Sequence, residues 1–430
     1  MEGIRGTGAG HAARGAGLVR RVVLLGLVVT LPALVLAQEL GTTSPKARER
    51  YDQGMDRLKT GKWAEAAAEF TAARDLDPAF AEAHMRLGQA RASMRFFTEA
   101  QICLEKAVNL KPDLLEARIS LVSVLMERNA DDRAESEAKR LLTLEQARDR
   151  PEPHILLGQI AFRRAQRVAN EDPNARLARY EESVAHFQRA VDLAADNPVF
   201  RYDLGMALLR TGRLVDAERH LRHAVQVNPK SSVYQFQLGE VCFLLGRYLE
   251  AREHLVAASR DEKRRDADLY TLLMRAGYRL GMYQDAARWA ALAHRAAPDN
   301  PQVLLLSATI HRHLGNHTLA EDFVRQALRL EAKQPGADYE LGMLYFDRGQ
   351  WRAAVDFLRK ATQIQPNEYR GWYQLGLALR CLEQTDESDR ALARFQELKD
   401  EEQTKKERTG IEAGPPDRLF LPTTRPAAGS

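Results

Sequence analysis

Cysteine is scarce in this chain. Three residues in 430, at Cys103, Cys242 and Cys381, are too few and too scattered for a disulfide-stapled framework. An excess of one charge is missing too: 63 basic residues face 59 acidic ones and leave a net +4, so no nucleic-acid partner is expected. Catalytic signatures are absent, with no phosphate-cradling loop between strand and helix, no nucleophile elbow, no zinc-protease helix and no haem-attachment motif. Gly6-Thr-Gly8-Ala-Gly10 has no strand before it and is not a phosphate loop. The histidine groups His311, His313, His317 and His220, His223 have no Cys or carboxylate partner at ligand spacing, so no metal and no other cofactor is expected. These absences together point away from an enzyme.

Long apolar runs are scarce as well. The one of note, VVLLGLVVTLPALVLA at Val22–Ala37, follows a segment bearing Arg5, Arg14, Arg20 and Arg21 and ends on small residues before Gln38. This reads as a signal peptide cut after Ala37, which makes the mature chain periplasmic or secreted. Sixteen apolar residues fall short of the roughly 20 that cross a bilayer, so an uncleaved inner-membrane anchor is the alternative and the only membrane contact expected.

What the chain has in abundance is a period. In residues 198–231 the apolar residues fall at helical spacing in two segments, Leu204, Gly205 and Leu208 in the first and Ala217, Leu221 and Ala224 in the second, with Gly212 between them and Pro229 after them. Two such short helices cannot bury their apolar stripes alone and must stack on neighbours. The pattern returns 34 residues later at Leu238, Gly239, Gly246, Tyr248, Ala251, Leu255 and Ala258, and most cleanly at Leu341, Gly342, Tyr345, Gly349, Trp351, Ala354, Leu358, Ala361 and Pro366. Starting points fall near 47, 81, 115, 151, 198, 232, 267, 301, 335 and 369.

Each marked place has a mechanical reason. The eighth, as in Gly205 or Gly376, and the twentieth, as in Ala217 or Ala354, let the two helices of a hairpin approach. Gly at the fifteenth, as in Gly61, Gly212, Gly246, Gly281, Gly315 and Gly349, supplies the turn. A large residue two places on fills the corner, and Pro at the thirty-second stops the second helix.

Over 47–399 the pattern resembles the tetratricopeptide repeat. The resemblance implies an all-α fold, a right-handed superhelical solenoid of about ten helical hairpins. The expected organisation is a signal peptide or anchor at 1–37, a linker at 38–46, the solenoid at 47–408 and a disordered tail at 409–430 that contains Leu419-Phe-Leu421. The third hairpin departs from the pattern, with Val122 where Gly is usual and no closing Pro. The fourth carries an insertion near 163–177, which requires a longer hairpin or a projecting loop. The last helix runs without a breaker to Gly410 and turns charged, as an end cap should. Cysteines in distant stacked repeats cannot meet for a disulfide, and all three are expected as small buried residues.

In such arrays the first helix of each hairpin lines the concave side. Its second, fifth, ninth and twelfth places hold Tyr202, Met206 and Leu209, then Phe236 and Phe243, later Tyr339, Met343 and Phe346, and finally Tyr373 and Leu377. Arg210, Arg275, Arg279, Arg312 and Arg380 are interspersed. Aromatic, Met and Arg side chains are what protein-binding surfaces favour. The expected function is therefore a non-enzymatic protein-interaction scaffold of the bacterial cell envelope, which holds a protein or peptide segment in the groove and assists assembly or secretion machinery, the last detail implied by resemblance alone. A glycan-binding or polysaccharide-export accessory is one alternative, and an enzyme with its site in the insertion is another. The Lys and Asn clamp for a terminal carboxylate is missing, since Tyr51 and Met55 stand at its places.

Overall fold

The computed structural model describes residues 41–409 apart from 43, 169–171, 332–333 and 335. The proposed signal segment, the start of the linker and the tail from 410 onward lie outside them. Two compact units emerge, divided between Asp196 and Asn197.

The first unit holds four hairpins. They pair α1 (Pro45–Lys59) with α2 (Trp63–Leu76), α3 (Ala81–Ser93) with α4 (Phe97–Leu110), α5 (Leu115–Glu127) with α6 (Asp131–Leu142), and α7 (Glu152–Arg167) with α8 (Pro173–Leu193). The second unit holds six: α9 (Pro198–Arg210) with α10 (Leu214–Val227), α11 (Ser232–Leu244) with α12 (Tyr248–Ala258), α13 (Ala267–Arg279) with α14 (Tyr283–Ala296), α15 (Pro301–His313) with α16 (His317–Leu330), α17 (Ala337–Asp347) with α18 (Trp351–Ile364), and α19 (Tyr369–Cys381) with α20 (Thr385–Thr409). Among the described residues there is no strand. Within each unit every second helix also packs on the first helix of the next hairpin, and consecutive first helices touch. The expected all-α array of ten hairpins is what forms.

Helix starts follow the caps written in the sequence. The Ser44 hydroxyl accepts from the Ala47 amide at 3.3 Å with Pro45 at the first helical place, so the last two residues of the expected linker belong to α1. Asn197 and Asn300 cap α9 and α15 in the same way, each before a proline. Outside the fourth hairpin the turns use one device. In the fifth hairpin the Gly212 amide reaches the Leu209 carbonyl at 3.2 Å and the Arg213 amide reaches Leu208 at 3.0 Å, which needs a left-handed residue at 212, where φ is +80°. The second, third and tenth hairpins put Arg95, Asn129 and Glu383 there instead, at φ between 60° and 67°. For Arg and Glu that conformation costs about 1–2 kcal/mol, held by the packing around it.

The hairpin crossing shows a finer rule. A Cβ added to Gly205 would stand 2.7 Å from Leu221 Cγ, and one on Gly54 2.6 Å from Phe70, so glycine is required where the facing second-helix residue is large. Gly158 faces Phe187, and Gly88, Gly239, Gly342 and Gly376 face leucines in the same way. Where the eighth place is not glycine the partner shrinks: Val122 with Ala138, Met274 with Ala290, Ala308 with Val324, all buried. Volume is conserved across the pair, which is what a close-packed interior demands. The apparent degeneracy of the third hairpin is this exchange run in reverse.

The insertion lengthens both helices of the fourth hairpin, to 16 and 21 residues, where 11 to 14 is usual elsewhere in the array. Its arginines turn back onto the third hairpin. Arg164 pairs with Asp132 at 2.5 Å and with Glu135, Arg167 pairs with Asp131, and Asn129 Oδ1 accepts from Arg163 at 3.0 Å and from Arg167 at 2.6 Å. Arg163, Arg164 and Arg167 thus clamp the fourth hairpin to the third. In the final helix, Ala391 and Leu398 are buried and the residues just beyond them are mostly exposed, as an end cap should be.

Candidate protein-binding face

The first helices of the second unit carry the residues that the sequence placed in a groove. Tyr202, Phe236, Phe243 and Met343 are buried, each at 8% exposure or less. Their neighbours explain why: the Tyr202 ring lies 5.1 Å from Tyr234, Arg264 sits 3.8 Å over the centre of Phe236, and Arg275 sits 4.7 Å over Phe243. These three aromatics join one hairpin to the next and offer a partner almost no surface. Burial pushes the Tyr234 phenol up to about 12, so it stays neutral.

Met206, Tyr339, Phe346 and Leu377 are half-buried, while Arg210, Tyr373 and Arg380 are exposed. Tyr373 at 39% exposure stands at the far end, 5.0 Å from Phe395 between ring centres. The reachable apolar side chains therefore concentrate on α17 and α19, where Tyr339, Phe346, Tyr373 and Leu377 share the first-helix face with Arg380. Phe346 is held edge-on by Trp351 at 4.9 Å. Beside Tyr339, a niche also lined by Glu368 and Arg370 has room for about 10 Å³, one water molecule, which rules it out as a small-molecule pocket.

The interspersed arginines are structural more than they are free hooks. Arg312 donates to Glu340 at 3.2 Å and to Asp347 at 3.1 Å, and Glu340 is 3% exposed. Burial disfavours the Arg312 charge, but the two carboxylates outweigh it and raise its pKa. Arg279 sits 4.8 Å over the Tyr248 ring and donates to its hydroxyl. Arg380 meets Asp389 at 3.5 Å with both side chains open to solvent.

His313 lies flat on Tyr283 at 4.6 Å, and His311 stacks on Phe323 at 5.6 Å. His220 is buried and its pKa falls to about 4 through burial, helped by Arg219 and Arg201. Among the cysteines, Cys103 and Cys242 are buried, and burial raises the Cys242 thiol to about 12, so the metal-free thiol keeps its proton at neutral pH. Cys381 corrects the sequence expectation: it is exposed, because it is the last residue of α19, where the helix gives way to the turn into α20. One grouping escaped sequence reasoning. Cys242 on α11 comes together with Glu250 and His254 on α12, although eight and twelve residues separate them in the chain.

Tetratricopeptide repeat profiles match residues 51–95 and 271–338, 81–114 and 339–368, and 174–238, together more than half of the chain. The chain belongs to the tetratricopeptide repeat family. The third hairpin, where Val122 replaces glycine, falls between the matches.

No protein of curated function matches it. Among solved structures it is similar to YrrB, described as a tetratricopeptide repeat protein with an unusual peptide-binding site, at 17% identity over 43% of this chain and 95% of that one, TM-score 0.38. It is similar to a tetratricopeptide repeat protein from Parabacteroides merdae at 15% identity over 62% and 99%, TM-score 0.44. It is similar to the Cut9 and Hcn1 hetero-tetramer of the APC/C at 11% identity over 89% and 96%, TM-score 0.41.

Proposed function

We propose that this chain is a non-enzymatic protein-interaction scaffold and that its second unit holds a peptide segment of another protein on the first-helix face. The observation that carries this reading is the concentration of reachable Tyr339, Phe346, Tyr373, Leu377 and Arg380 on two neighbouring first helices. Apolar rings beside a solvent-exposed guanidinium suit a segment that brings apolar anchors and a carboxylate. Tyr202, Phe236, Phe243 and Met343 keep the hairpins in register so that this face is rigid before binding, which lowers the ordering cost of association. Export to the cell envelope is part of the same proposal and rests on the charge-free run at Val22–Ala37.

The test is capture of envelope proteins by wild type and by Tyr373→Ala/Leu377→Ser, two exposed or half-exposed changes that leave the core alone. The expected result is loss of specific partners with unchanged helical content. Equal capture by both proteins refutes the assignment of this face.

A further inference from the structure

We propose that Cys242, Glu250 and His254 form a zinc-binding site that clips α11 to α12. One ligand atom from each residue lies within 4.8 Å of the other two, a thiol, a carboxylate and an imidazole, which is a donor set that suits zinc. Glu250 and His254 are four residues apart on one helix and so share a face, while Cys242 faces them from across the turn. The site is partly open: Cys242 forms a buried floor and the other two are half-exposed at the rim, so an ion can enter from solvent.

The outer contacts prepare the imidazole for this task. Gln235 Nε2 donates to the Pro229 carbonyl at 2.9 Å, which can only accept, so Gln235 Oε1 is the atom turned toward His254 Nδ1 at 2.7 Å. Nδ1 therefore carries the proton and Nε2 keeps its lone pair. An imidazole fixed through its other nitrogen is the usual second layer of a zinc site.

The carboxylate is prepared in a similar way. Glu250 Oε1 accepts from Arg222 at 2.6 Å, whereas Oε2 stands 3.9 Å from Arg247, beyond hydrogen-bond distance, and is the oxygen available to an ion. Arg222 and Arg247 both also bind Glu218, so neither guanidinium is stranded when Glu250 turns to a cation. Zinc binding replaces the thiol proton with a sulfur–zinc bond and releases one proton to solvent, and water completes the coordination.

The experiment uses the full chain with Cys103→Ser and Cys381→Ser, which leaves Cys242 as the single thiol, stripped of metal and titrated with Co²⁺ and then Zn²⁺. The expected result is one equivalent bound, a thiolate-to-cobalt charge-transfer band in the near ultraviolet that zinc bleaches, and a higher Tm with zinc present. His254→Gln weakens binding at least tenfold, and Glu250→Gln does the same with helical content unchanged. Absence of the band in the single-thiol protein overturns the proposal, as does a band of undiminished affinity in both rim variants.

Discussion

The paired volumes at the hairpin crossing give the sharpest quantitative test. Leu221 is fully buried and its Cγ would stand 2.7 Å, and its Cδ2 3.0 Å, from a side chain on Gly205. Leu221→Ala removes the branched end of a core side chain and leaves a cavity, at a cost of about 2–5 kcal/mol. Gly205→Val by itself forces a branched residue into occupied space and costs about 1–3 kcal/mol or more, against a small gain in helix propensity. Combined, the valine methyls enter the space the leucine leaves, the arrangement already present at Val122 and Ala138 in the third hairpin.

The double variant should then be more stable than the sum of the two single changes by about 1.5 kcal/mol or more, within the range found for residues in contact. Urea denaturation of the full chain followed by circular dichroism measures it. The slope must stay constant across the four proteins, because repeat arrays can lose cooperativity. Strict additivity would refute volume pairing as the organising rule of these hairpins.

Three further outcomes are expected. Arg312→Ala leaves the buried Glu340 carboxylate without its partner and should cost about 3–5 kcal/mol in urea denaturation, whereas Arg312→Met with Glu340→Gln should recover most of that. His220 has a folded pKa depressed to about 4 by burial, so stability is complete above its unfolded value near 6.5 and falls as pH drops toward 4; His220→Phe should flatten that part of the thermal-denaturation profile against pH. Arg164→Ala together with Arg167→Ala should release the extended fourth hairpin from the third, raising amide hydrogen exchange in α7 and α8 while α9 onward keeps its protection.

The hairpins were legible in the sequence because their cause is local. Apolar spacing, a turn glycine such as Gly212 and a closing proline such as Pro229 act within one repeat. The turn could not be read from glycine alone: Arg95 and Glu383 occupy left-handed backbone that their side chains disfavour, and only the packing of both flanking helices holds them there. The binding face was half legible. Register placed Tyr202, Phe236 and Tyr373 on one set of helices, but whether a ring is covered depends on what the next hairpin sends over it, such as Arg264 over Phe236. The meeting of Cys242 with His254 was invisible for a related reason. Twelve residues of separation is no ligand spacing until the chain folds back on itself.

The volume pairing also constrains how such a chain can change by recombination. A crossover placed between hairpins hands each Gly205-like residue on with its own Leu221, and the offspring fold as their parents did. A crossover through a turn would marry Met274 to a leucine or Gly205 to an alanine, one clashing and one hollow. Whole hairpins are therefore the units in which this array can be lengthened, shortened or shuffled without loss.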